Sequence, residues 1–411
     1  MFLKKIAAFL ISFVFMFSFS ANADVGNSDV NYDNIVTEYY SDDIYQDITE
    51  TSAIPVASVP EIDAESAILM EASTGKIIYQ KEENKKLPPA SITKIMTMLL
   101  VIEAIENKKL SFYDMVTTSE HAASMGGSQI WLEVGETMTV HDLLKSVAVG
   151  SANDASVALG EHIAGSEEGF VSMMNSRAKQ LGMSNTNFTN ACGLDDDNLY
   201  TSAKDIAIMS RELISHEIIK QYTTIWMDTI RNESVQLVNT NKLVRFYRGA
   251  TGLKTGTTNG AGCCLSATAK RDGMELIAVI MGAKSSNERF SGAKKLLDYG
   301  FANLSIYNTS KNVKILKKIP VKNGQKDNLK LKYENIENEL IETENKAQIK
   351  VVTEIPEFLQ APIEENQKVG SVKVLLGEKI LKEYKIYANE NVKEVDFGFS
   401  FLKLLKSMTT L

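Results

Sequence analysis

The sequence contains few of the residues that metal sites and disulfide frameworks use. Its 411 residues include three cysteines and four histidines. An odd number of cysteines leaves at least one thiol unpaired, so we expect free, mostly buried thiols and no disulfide framework. The segment nearest to a zinc-binding helix, His216-Glu217-Ile218-Ile219-Lys220, ends in lysine where a second histidine is required, and Cys263 and Cys264 are adjacent, unlike spaced ligand pairs. The sequence therefore predicts neither a metal ion nor a cofactor.

Positive charge is in deficit, and two common catalytic loops are missing. The chain has 44 lysines and arginines against 52 aspartates and glutamates, a formal net charge of -8, which argues against nucleic acid as a partner. No Gly-x-Ser-x-Gly elbow and no phosphate-binding loop occurs in the sequence. The chain is nevertheless too long for one ordinary domain and apolar enough for real cores, so two folded units are expected.

The first 23 residues have the layout of a secretory signal. A basic pair, Lys4-Lys5, precedes an apolar run at residues 6–19, and Ala21-Asn22-Ala23 matches an Ala-x-Ala cleavage site. We therefore expect export; an uncleaved membrane anchor is the alternative, but the apolar run is short for a bilayer span. Residues 24–60 contain many aspartates, no lysine or arginine and no sustained hydrophobic period. This composition predicts an acidic disordered tether.

The stretch with the most specific chemistry begins at Pro88-Pro89. The prolines predict an extended approach, and the following apolar run to Ala104 predicts a helix buried on nearly all sides, with Ser91 in its first turn. Free backbone N–H groups at such a helix start could hold an oxyanion beside the Ser91 hydroxyl. Lys94 lies three residues later on the same face, where burial could make it a base. Taken alone, however, Ser-x-x-Lys more often marks a helix N-cap and a solvated lysine.

Two further motifs favour the catalytic interpretation. Ser151-Ala152-Asn153 and Lys254-Thr255-Gly256-Thr257 follow the first motif in the order that penicillin-binding proteins and serine β-lactamases share. From about Ala64 to the C-terminus the sequence resembles the serine-type D-alanyl-D-alanine carboxypeptidases, or low-molecular-mass penicillin-binding proteins. Asn239-Thr240-Asn241-Lys242-Leu243 and Met281-Gly282-Ala283 also belong to this resemblance.

The resemblance implies a role for each motif residue. Ser91 is expected to be the nucleophile and Lys94 its activating base, with Ser151 relaying a proton toward the leaving group. The expected substrate-binding residues are Asn153, Lys254, Thr255, Gly256 and Thr257. Backbone N–H groups of Ser91 and Thr257 are expected to form the oxyanion hole. Which lysine is the acylation base is disputed across the wider group, so the roles of Lys94 and Lys254 stay open.

Two positions near these motifs also stay open. Arg289 stands where relatives place an arginine near the site, but a surface ion pair explains it about as well. Residues 190–200 resemble the active-site rim loop of the family, in which some relatives carry histidine before a Gly-Leu pair. This chain has Cys192 there, which leaves any substrate-positioning role of that side chain undecided.

The hydrophobic pattern and the resemblance together predict an α/β fold for residues 61–303. The expected class is a penicillin-binding or β-lactamase-like transpeptidase domain, an antiparallel sheet flanked by helices with a helical subdomain. Strands are predicted at residues 67–72, 76–79, 252–257, 263–270 and 275–282. Helices are predicted at residues 140–149, 155–164, 168–181, 202–214 and 291–301.

After residue 303 the pattern changes to short alternating strands, which predicts a small all-β domain over residues 304–392. Its strands are predicted at residues 313–316, 329–331, 349–352 and 372–376. In residues 393–411 apolar side chains recur at helical spacing, namely Phe397, Phe401, Leu404, Leu405, Met408 and Leu411. They predict an amphipathic helix, which the family uses to bind the membrane surface; packing against a core is the alternative.

The combined expectation is an exported enzyme at the outer face of the cytoplasmic membrane that removes the terminal D-alanine from peptidoglycan stem pentapeptides through a Ser91 acyl-enzyme. β-Lactams, which mimic the D-Ala-D-Ala terminus, are expected to inhibit it. One alternative is a serine β-lactamase, but no Glu-x-x-x-Asn segment like the class A deacylation loop lies between Ser151 and Lys254. Another is a non-catalytic cell-wall-binding module, against which the intact motifs argue, because unused buried polar groups are costly.

Overall fold

Helices and strands follow one another irregularly along the part of the chain that the structure describes, residues 58–408 of a computed structural model. The strands are β1 Ser66–Glu71, β2 Ile77–Lys81, β3 Met115–Thr117, β4 Thr137–Thr139, β5 Met227–Ile230, β6 Val235–Val238, β7 Ala250–Thr258, β8 Gly262–Arg271, β9 Met274–Ala283, β10 Leu304–Tyr307, β11 Lys318–Lys322, β12 Asn328–Tyr333, β13 Glu339–Glu342, β14 Ile349–Glu354, β15 Leu359–Gln360, β16 Lys368–Leu376 and β17 Lys379–Ala388. The helices are α1 Lys94–Glu106, α2 Glu120–Ala123, α3 Val140–Lys145, α4 Asn153–Ala164, α5 Glu167–Gln180, α6 Ala203–Ser215, α7 Lys220–Thr223, α8 Leu243–Phe246, α9 Ser286–Asn303, α10 Thr309–Asn312 and α11 Phe397–Met408. The expected signal and nearly all of the expected tether lie outside the described residues.

A five-stranded antiparallel sheet, in the order β2-β1-β9-β8-β7, forms the centre of the first half. Strand β9 shows how it is packed, since its side chains alternate between two separate cores. Leu276, Ala278 and Ile280 belong to the core that also contains Leu297 of α9. Ile277, Val279 and Met281 belong to the core built by α1 and the other helices. The sheet therefore has helices on both faces, as the α/β prediction requires.

Helix α1 runs through the interior of the helical side. Its residues from Lys94 to Ile102 are all buried, which confirms the prediction of a helix buried on nearly all sides. The approach to it differs from the prediction. Pro89 has helical backbone angles (φ -83°, ψ -19°) and Ala90 has a φ of +49°, so a short 3₁₀ turn, Ala90–Thr93, precedes α1. Proline fixes only φ, and ψ remained free to bend the chain and place Ser91 against β7.

The predicted helix at residues 140–149 is present, but only its first part, α3, is α-helical. Helix α3 continues as a π-helical segment, Ser146–Gly150, which ends at Ser151 in the left-handed conformation (φ 62°, ψ 28°). Helix α4 begins two residues later at Asn153. The wider π turn and the left-handed residue thus form a corner that carries both polar residues of the second motif. Single-turn π segments are often found at functional sites.

Two short antiparallel strand pairs in the helical part were not predicted. Strands β3 and β4 pair with each other, as do β5 and β6, and each strand has only three or four residues. Such short strands contain too few residues to show a period of two, which explains why periodicity missed them.

Residues after α9 form a second β-rich region. Strands β10 and β13 pair, and a six-stranded sheet has the order β14-β16-β17-β12-β11-β15 around its own apolar core. The strand predicted at residues 313–316 is wrong, since β11 begins at Lys318. The Leu316 backbone N–H and C=O bond the Tyr333 hydroxyl, both at 3.0 Å, so a side chain takes the place of a neighbouring strand.

Helix α11 near the C-terminus has an exposed apolar face. Phe397, Phe401 and Leu404 have 85%, 51% and 59% of their surfaces exposed, and Leu405 and Met408 are also exposed. This exposure does not fit the alternative of a helix packed into a core. No helix within residues 58–408 is both long and apolar enough to cross a bilayer.

Candidate active site

The Ser91 hydroxyl lies beside the buried amine of Lys94. Lys94 is fully buried at the start of α1, and its Nζ atom is 2.9 Å from Ser91 Oγ. The same nitrogen donates to Asn153 Oδ1 at 2.6 Å and to the Cys192 carbonyl oxygen at 2.7 Å. An ammonium has three protons to donate, and these three acceptors account for all of them. The structure therefore brings together the first two predicted motifs.

Burial gives Lys94 the properties of a base. It lowers the pKa of Lys94 from its ordinary value to about 8, although the electrostatic influence of Cys192 and Asp154 partly opposes this. At pH 7 roughly a tenth of the molecules would then hold Lys94 as a neutral amine. A neutral amine keeps two N–H groups, enough for the Asn153 and Cys192 acceptors. Its lone pair then faces the Ser91 hydroxyl.

Asn153 is held so that its side-chain oxygen faces Lys94. Its Nδ2 donates to the Gly126 carbonyl at 2.6 Å, and its backbone N–H donates to the Ser128 carbonyl at 2.7 Å. A Cβ atom on Gly127 would lie 2.8 Å from Asn153 Nδ2, so this position requires a residue without a side chain. Asp154, the next residue, accepts from the Ile130 backbone at 3.1 Å and ties the same loop to α4.

Strand β7 runs directly past the serine. A Cβ atom on Gly256 would lie 2.9 Å from the Pro89 carbonyl and 3.0 Å from the Ser91 backbone nitrogen. Only glycine allows the strand and the 3₁₀ turn to be this close. The Thr255 hydroxyl donates to the Thr240 hydroxyl at 2.7 Å, which connects the third motif to the Asn239–Leu243 region noted in the sequence. The third motif thus lies at the same site as the first.

Lys254 and Arg289 add positive charge to this region. Lys254 is buried, and burial together with the charges of Lys94 and Arg289 holds the pKa of Lys254 well below its ordinary value. Its Nζ donates to the Thr255 carbonyl at 3.0 Å. Within residues 58–408, no hydrogen bond joins Lys254 to Ser151. The Ser151 side chain is positioned by its left-handed backbone at the end of the π segment.

Arg289 belongs to the site, a point that the sequence left open. It is buried, and its Nη1 donates to the Thr257 hydroxyl at 2.7 Å and to the Gly256 carbonyl at 3.0 Å. Its guanidinium therefore supports the strand segment that carries the third motif. The position of Arg289 in the sequence resembles that of an arginine in the family, but only the fold shows that α9 brings it to β7.

The rim loop contributes a main-chain acceptor, the Cys192 carbonyl oxygen. The side chains in the sequence did not indicate this role. Asn190 Oδ1 accepts from the backbone N–H groups of Cys192 at 3.3 Å, Gly193 at 2.6 Å and Leu194 at 3.1 Å. This arrangement turns the Cys192 carbonyl toward Lys94. The Cys192 thiol is itself buried, which raises its pKa. The available sequence signal was an Asn three residues before a Gly, which is typical of a side-chain-supported turn.

Residues of neighbouring helices also hold the rim loop in place. Glu167 at the start of α5 accepts from the Ala191 N–H at 2.8 Å, and the Thr97 hydroxyl donates to the Ala191 carbonyl at 2.6 Å. Gly193 has a φ of +87°, and a Cβ atom there would lie 1.9 Å from the Ala90 carbonyl oxygen. The rim loop is therefore in direct contact with the turn that carries Ser91.

Replacing Asn190 by alanine should loosen this loop, because three backbone N–H groups lose their acceptor. We expect the amides of residues 191–194 to exchange with deuterium at least about tenfold faster in the Asn190→Ala variant, since each lost bond is worth about 1 kcal/mol. Hydrogen-exchange mass spectrometry measures this. Asn198→Ala, a change at an exposed position of the same loop, is the control and should leave exchange as it is. Equal exchange in both variants would show that other contacts hold the loop.

The arrangement as a whole suits attack on a carbonyl group. A half-buried hydroxyl lies next to a partly neutral amine, backbone N–H groups of a 3₁₀ turn face a glycine of the neighbouring strand, and buried cations lie nearby. Such cations would favour an anionic substrate group. The three cysteines are free thiols, and within residues 58–408 none of their sulfur atoms forms a hydrogen bond with Lys94.

Comparison with known proteins agrees with this geometry. Residues 53–285 match the profile of the D-alanyl-D-alanine carboxypeptidase family, and residues 301–394 match that of the C-terminal domain of penicillin-binding protein 5. The D-alanyl-D-alanine carboxypeptidase DacF of Bacillus subtilis is 43% identical over 345 residues, which cover 83% of this chain and 88% of that protein. The corresponding enzyme DacC of Escherichia coli is 33% identical over 357 residues, covering 85% and 89%.

Solved structures give the same result. Penicillin-binding protein 5 of Haemophilus influenzae superimposes with a TM-score of 0.69 at 32% identity, over 82% of this chain and 100% of that structure. Penicillin-binding protein D2 of Listeria monocytogenes in its ampicillin-bound form matches with a TM-score of 0.54 at 33% identity, over 58% of this chain and 98% of that structure. The predicted penicillin-binding fold, with an all-β C-terminal domain, is confirmed. The chain belongs to the D-alanyl-D-alanine carboxypeptidase family and is a serine-type carboxypeptidase of that family.

Proposed function

We propose that the protein removes the terminal D-alanine from peptidoglycan stem pentapeptides through an acyl-enzyme on Ser91. The observation that carries this proposal is the 2.9 Å contact between Ser91 Oγ and the Nζ atom of the buried Lys94. A serine beside a buried amine has both parts of an activated nucleophile. Membership of the family supplies the substrate class, peptides that end in D-Ala-D-Ala.

Acylation begins when Ser91 Oγ attacks the carbonyl carbon of the penultimate D-alanine. The neutral Lys94 amine takes the hydroxyl proton, and the carbonyl oxygen becomes an oxyanion. Backbone N–H groups of Ser91 and Thr257 stabilise this oxyanion. The close approach of Gly256 to the Ser91 backbone supports a hole built from the turn and the strand together.

Collapse of the tetrahedral intermediate breaks the peptide bond and leaves the shortened peptide on Ser91. The departing D-alanine amine needs a proton, which Lys94 returns through the Ser151 hydroxyl. Lys254 and Thr255 bind the carboxylate of the departing residue. An incoming carboxylate would raise the depressed pKa of Lys254, so substrate binding itself stabilises the cation that holds it.

Deacylation repeats these steps with water as the nucleophile. Once D-alanine has left, water enters the vacated space, and Lys94, neutral again, takes its proton as the water oxygen attacks the ester carbonyl. A new oxyanion forms in the same hole. Breakdown of this intermediate returns the proton to Ser91 Oγ and releases the tetrapeptide.

The two alternative functions remain weaker. A serine β-lactamase needs a base dedicated to deacylating the penicilloyl-enzyme, and no matching segment lies between Ser151 and Lys254. A non-catalytic wall-binding protein would not need a lysine that is fully buried next to a serine, because burying such an amine destabilises the fold.

Penicillin should therefore trap the enzyme. It acylates the same serine, but its leaving group stays tethered and obstructs water, so we expect a stable mass increase of one penicillin on the intact protein and a proportional loss of D-alanine release. Mass spectrometry should map the adduct to Ser91. Ser91→Ala should show neither adduct nor turnover, whereas Ser184→Ala, an exposed serine, should behave like the wild type. Rapid hydrolysis of penicillin without a change in protein mass would favour the β-lactamase.

The activity should rise with pH as Lys94 loses its proton. Because the neutral amine is the base, kcat/KM for D-alanine release should increase through about pH 8 and level off above it. Asp154 raises the pKa of Lys94 but is not among the groups that shift the pKa of Lys254. Asp154→Asn should therefore move the rising limb to lower pH. A limb that stays in place in this variant would assign the titration to another group.

We also propose the location and domain organisation expected from the sequence. Residues 1–23 direct export, residues 24–60 form a tether, residues 61–303 are the catalytic domain and residues 304–392 the all-β domain. Residues 393–411 then bind the outer face of the cytoplasmic membrane. The exposed apolar face of α11 supports this, since a helix with one apolar face lies stably in a membrane interface.

A charge on the apolar face of α11 should weaken membrane binding. Phe401→Glu removes an aromatic ring and adds a charge, so we expect roughly a tenfold or greater loss of binding to lipid vesicles. Vesicle co-sedimentation measures this, and activity on soluble peptides should not change. In vesicles without net charge, Lys403→Glu is the control, because it places the same side chain roughly 160° around the helix from Phe401, on nearly the opposite side. If both variants bind like the wild type, α11 is not the membrane-binding element.

A further inference from the structure

A second cluster of polar side chains lies at the far end of α1. Glu103 is near the C-terminal end of α1, Glu212 is near the C-terminal end of α6, and His216 follows α6 directly. One ligand atom from each of these three side chains lies within 4.8 Å of the others. Glu103 is nine residues from Lys94, or roughly 13 Å along the helix. The cluster is therefore separate from the catalytic site.

His216 has a carboxylate on one ring nitrogen and no partner on the other. Its Nδ1 is 2.7 Å from Glu106 Oε2, and a carboxylate in this position accepts the Nδ1 proton. The lone pair of the neutral imidazole is then on Nε2. Nε2 is buried and has no hydrogen-bond partner within residues 58–408. A buried nitrogen of this kind needs a partner, and a carboxylate on the opposite ring nitrogen is the usual companion of a metal-bound histidine.

The charge of the cluster also favours a cation. Glu103, Glu106 and Glu212 carry three negative charges, and Arg177 is the cation that pairs with two of them. Three negative charges and one positive charge leave a formal charge of -2. Arg177 contacts the Oε1 atom of both Glu103 and Glu212, so a second cation can use the Oε2 atoms of these carboxylates.

We propose that His216, Glu103 and Glu212 bind a divalent transition-metal ion of the Zn²⁺ type, with Glu106 as the residue that positions the imidazole. One imidazole nitrogen with two carboxylates matches the ligand preference of Zn²⁺ better than that of Ca²⁺ or Mg²⁺, which take oxygen ligands. Zn²⁺ bonds of about 2.0–2.2 Å require the ligand atoms to approach each other more closely than 4.8 Å. The flexible glutamate side chains can rotate to achieve this, and solvent supplies the fourth ligand.

The ion would join the ends of two helices that are far apart in sequence. It has no role in bond making, since Ser91 and Lys94 lie at the opposite end of α1. Its effect would be to fix α1, the helix that carries Lys94, to α6. A local motif search could not find this site because Glu103 and Glu212 come from different helices, and the single histidine lacks the second one that the zinc-helix pattern requires.

The test is metal binding to the purified full-length protein after treatment with EDTA. Titration with Zn²⁺ in a calorimeter should give one site, and Zn²⁺ at about a hundredfold excess over Kd should raise Tm by on the order of 5 °C. Co²⁺ should produce visible absorption bands of a low-symmetry site. His216→Gln should abolish all three signals, while His162→Gln, a change of an exposed histidine, should keep them.

Glu212→Gln is a second variant, which tests the site even if His216→Gln fails to fold. It should weaken Zn²⁺ binding at least about tenfold and retain the Tm of the EDTA-treated wild type within a few degrees. Penicillin labelling of Ser91 without metal reports separately on the proposed function and should proceed in EDTA. Binding that is absent in the wild type, or unchanged in both His216→Gln and Glu212→Gln, would overturn the proposed metal site.

Discussion

The burial of one amine is the constraint on which the active site depends. Lys94 is fully enclosed, and its three acceptors come from a 3₁₀ turn, the start of α4 and the rim loop. A buried ammonium without partners would cost on the order of several kcal/mol. These segments are far apart in sequence, and each must be in place for the amine to be tolerated. The same contacts that make burial acceptable also aim the amine at Ser91.

The central sheet that supports this geometry combines strands from the beginning and from the end of residues 66–283. Strands β1 and β2 precede α1, and strands β7 to β9 follow the helical part. Pairing of β1 with β9 closes the sheet around that insertion. The serine turn, the corner at Ser151 and strand β7 are thereby held by elements with two different cores, one on each face of the sheet. The site lies where these elements meet, and this gives it rigid support.

The sequence predicted much of this arrangement, and its failures have physical reasons. The three motifs, the buried α1 and the long strands were recognisable because side-chain type and period carry that information. Main-chain atoms carry none, so the Cys192 carbonyl could not be assigned. The bend at Pro89 depends on ψ, which proline leaves free. The false strand at residues 313–316 had the correct alternation, but its backbone bonds Tyr333 instead of another strand.

The contact between Gly193 and Ala90 divides the rim loop into two parts that can vary to different degrees. No side chain fits at Gly193, because a methyl group there would overlap the Ala90 carbonyl next to Ser91. The residues just beyond it, from Leu194 to Asn198, are all exposed. Within the rim loop, the side chains that can change without disturbing the turn of Ser91 are therefore those from Leu194 to Asn198. Substitutions in this short exposed segment would alter what the edge of the cleft presents, while residues 191–193 stay fixed by their contacts with Lys94, Thr97 and Ala90.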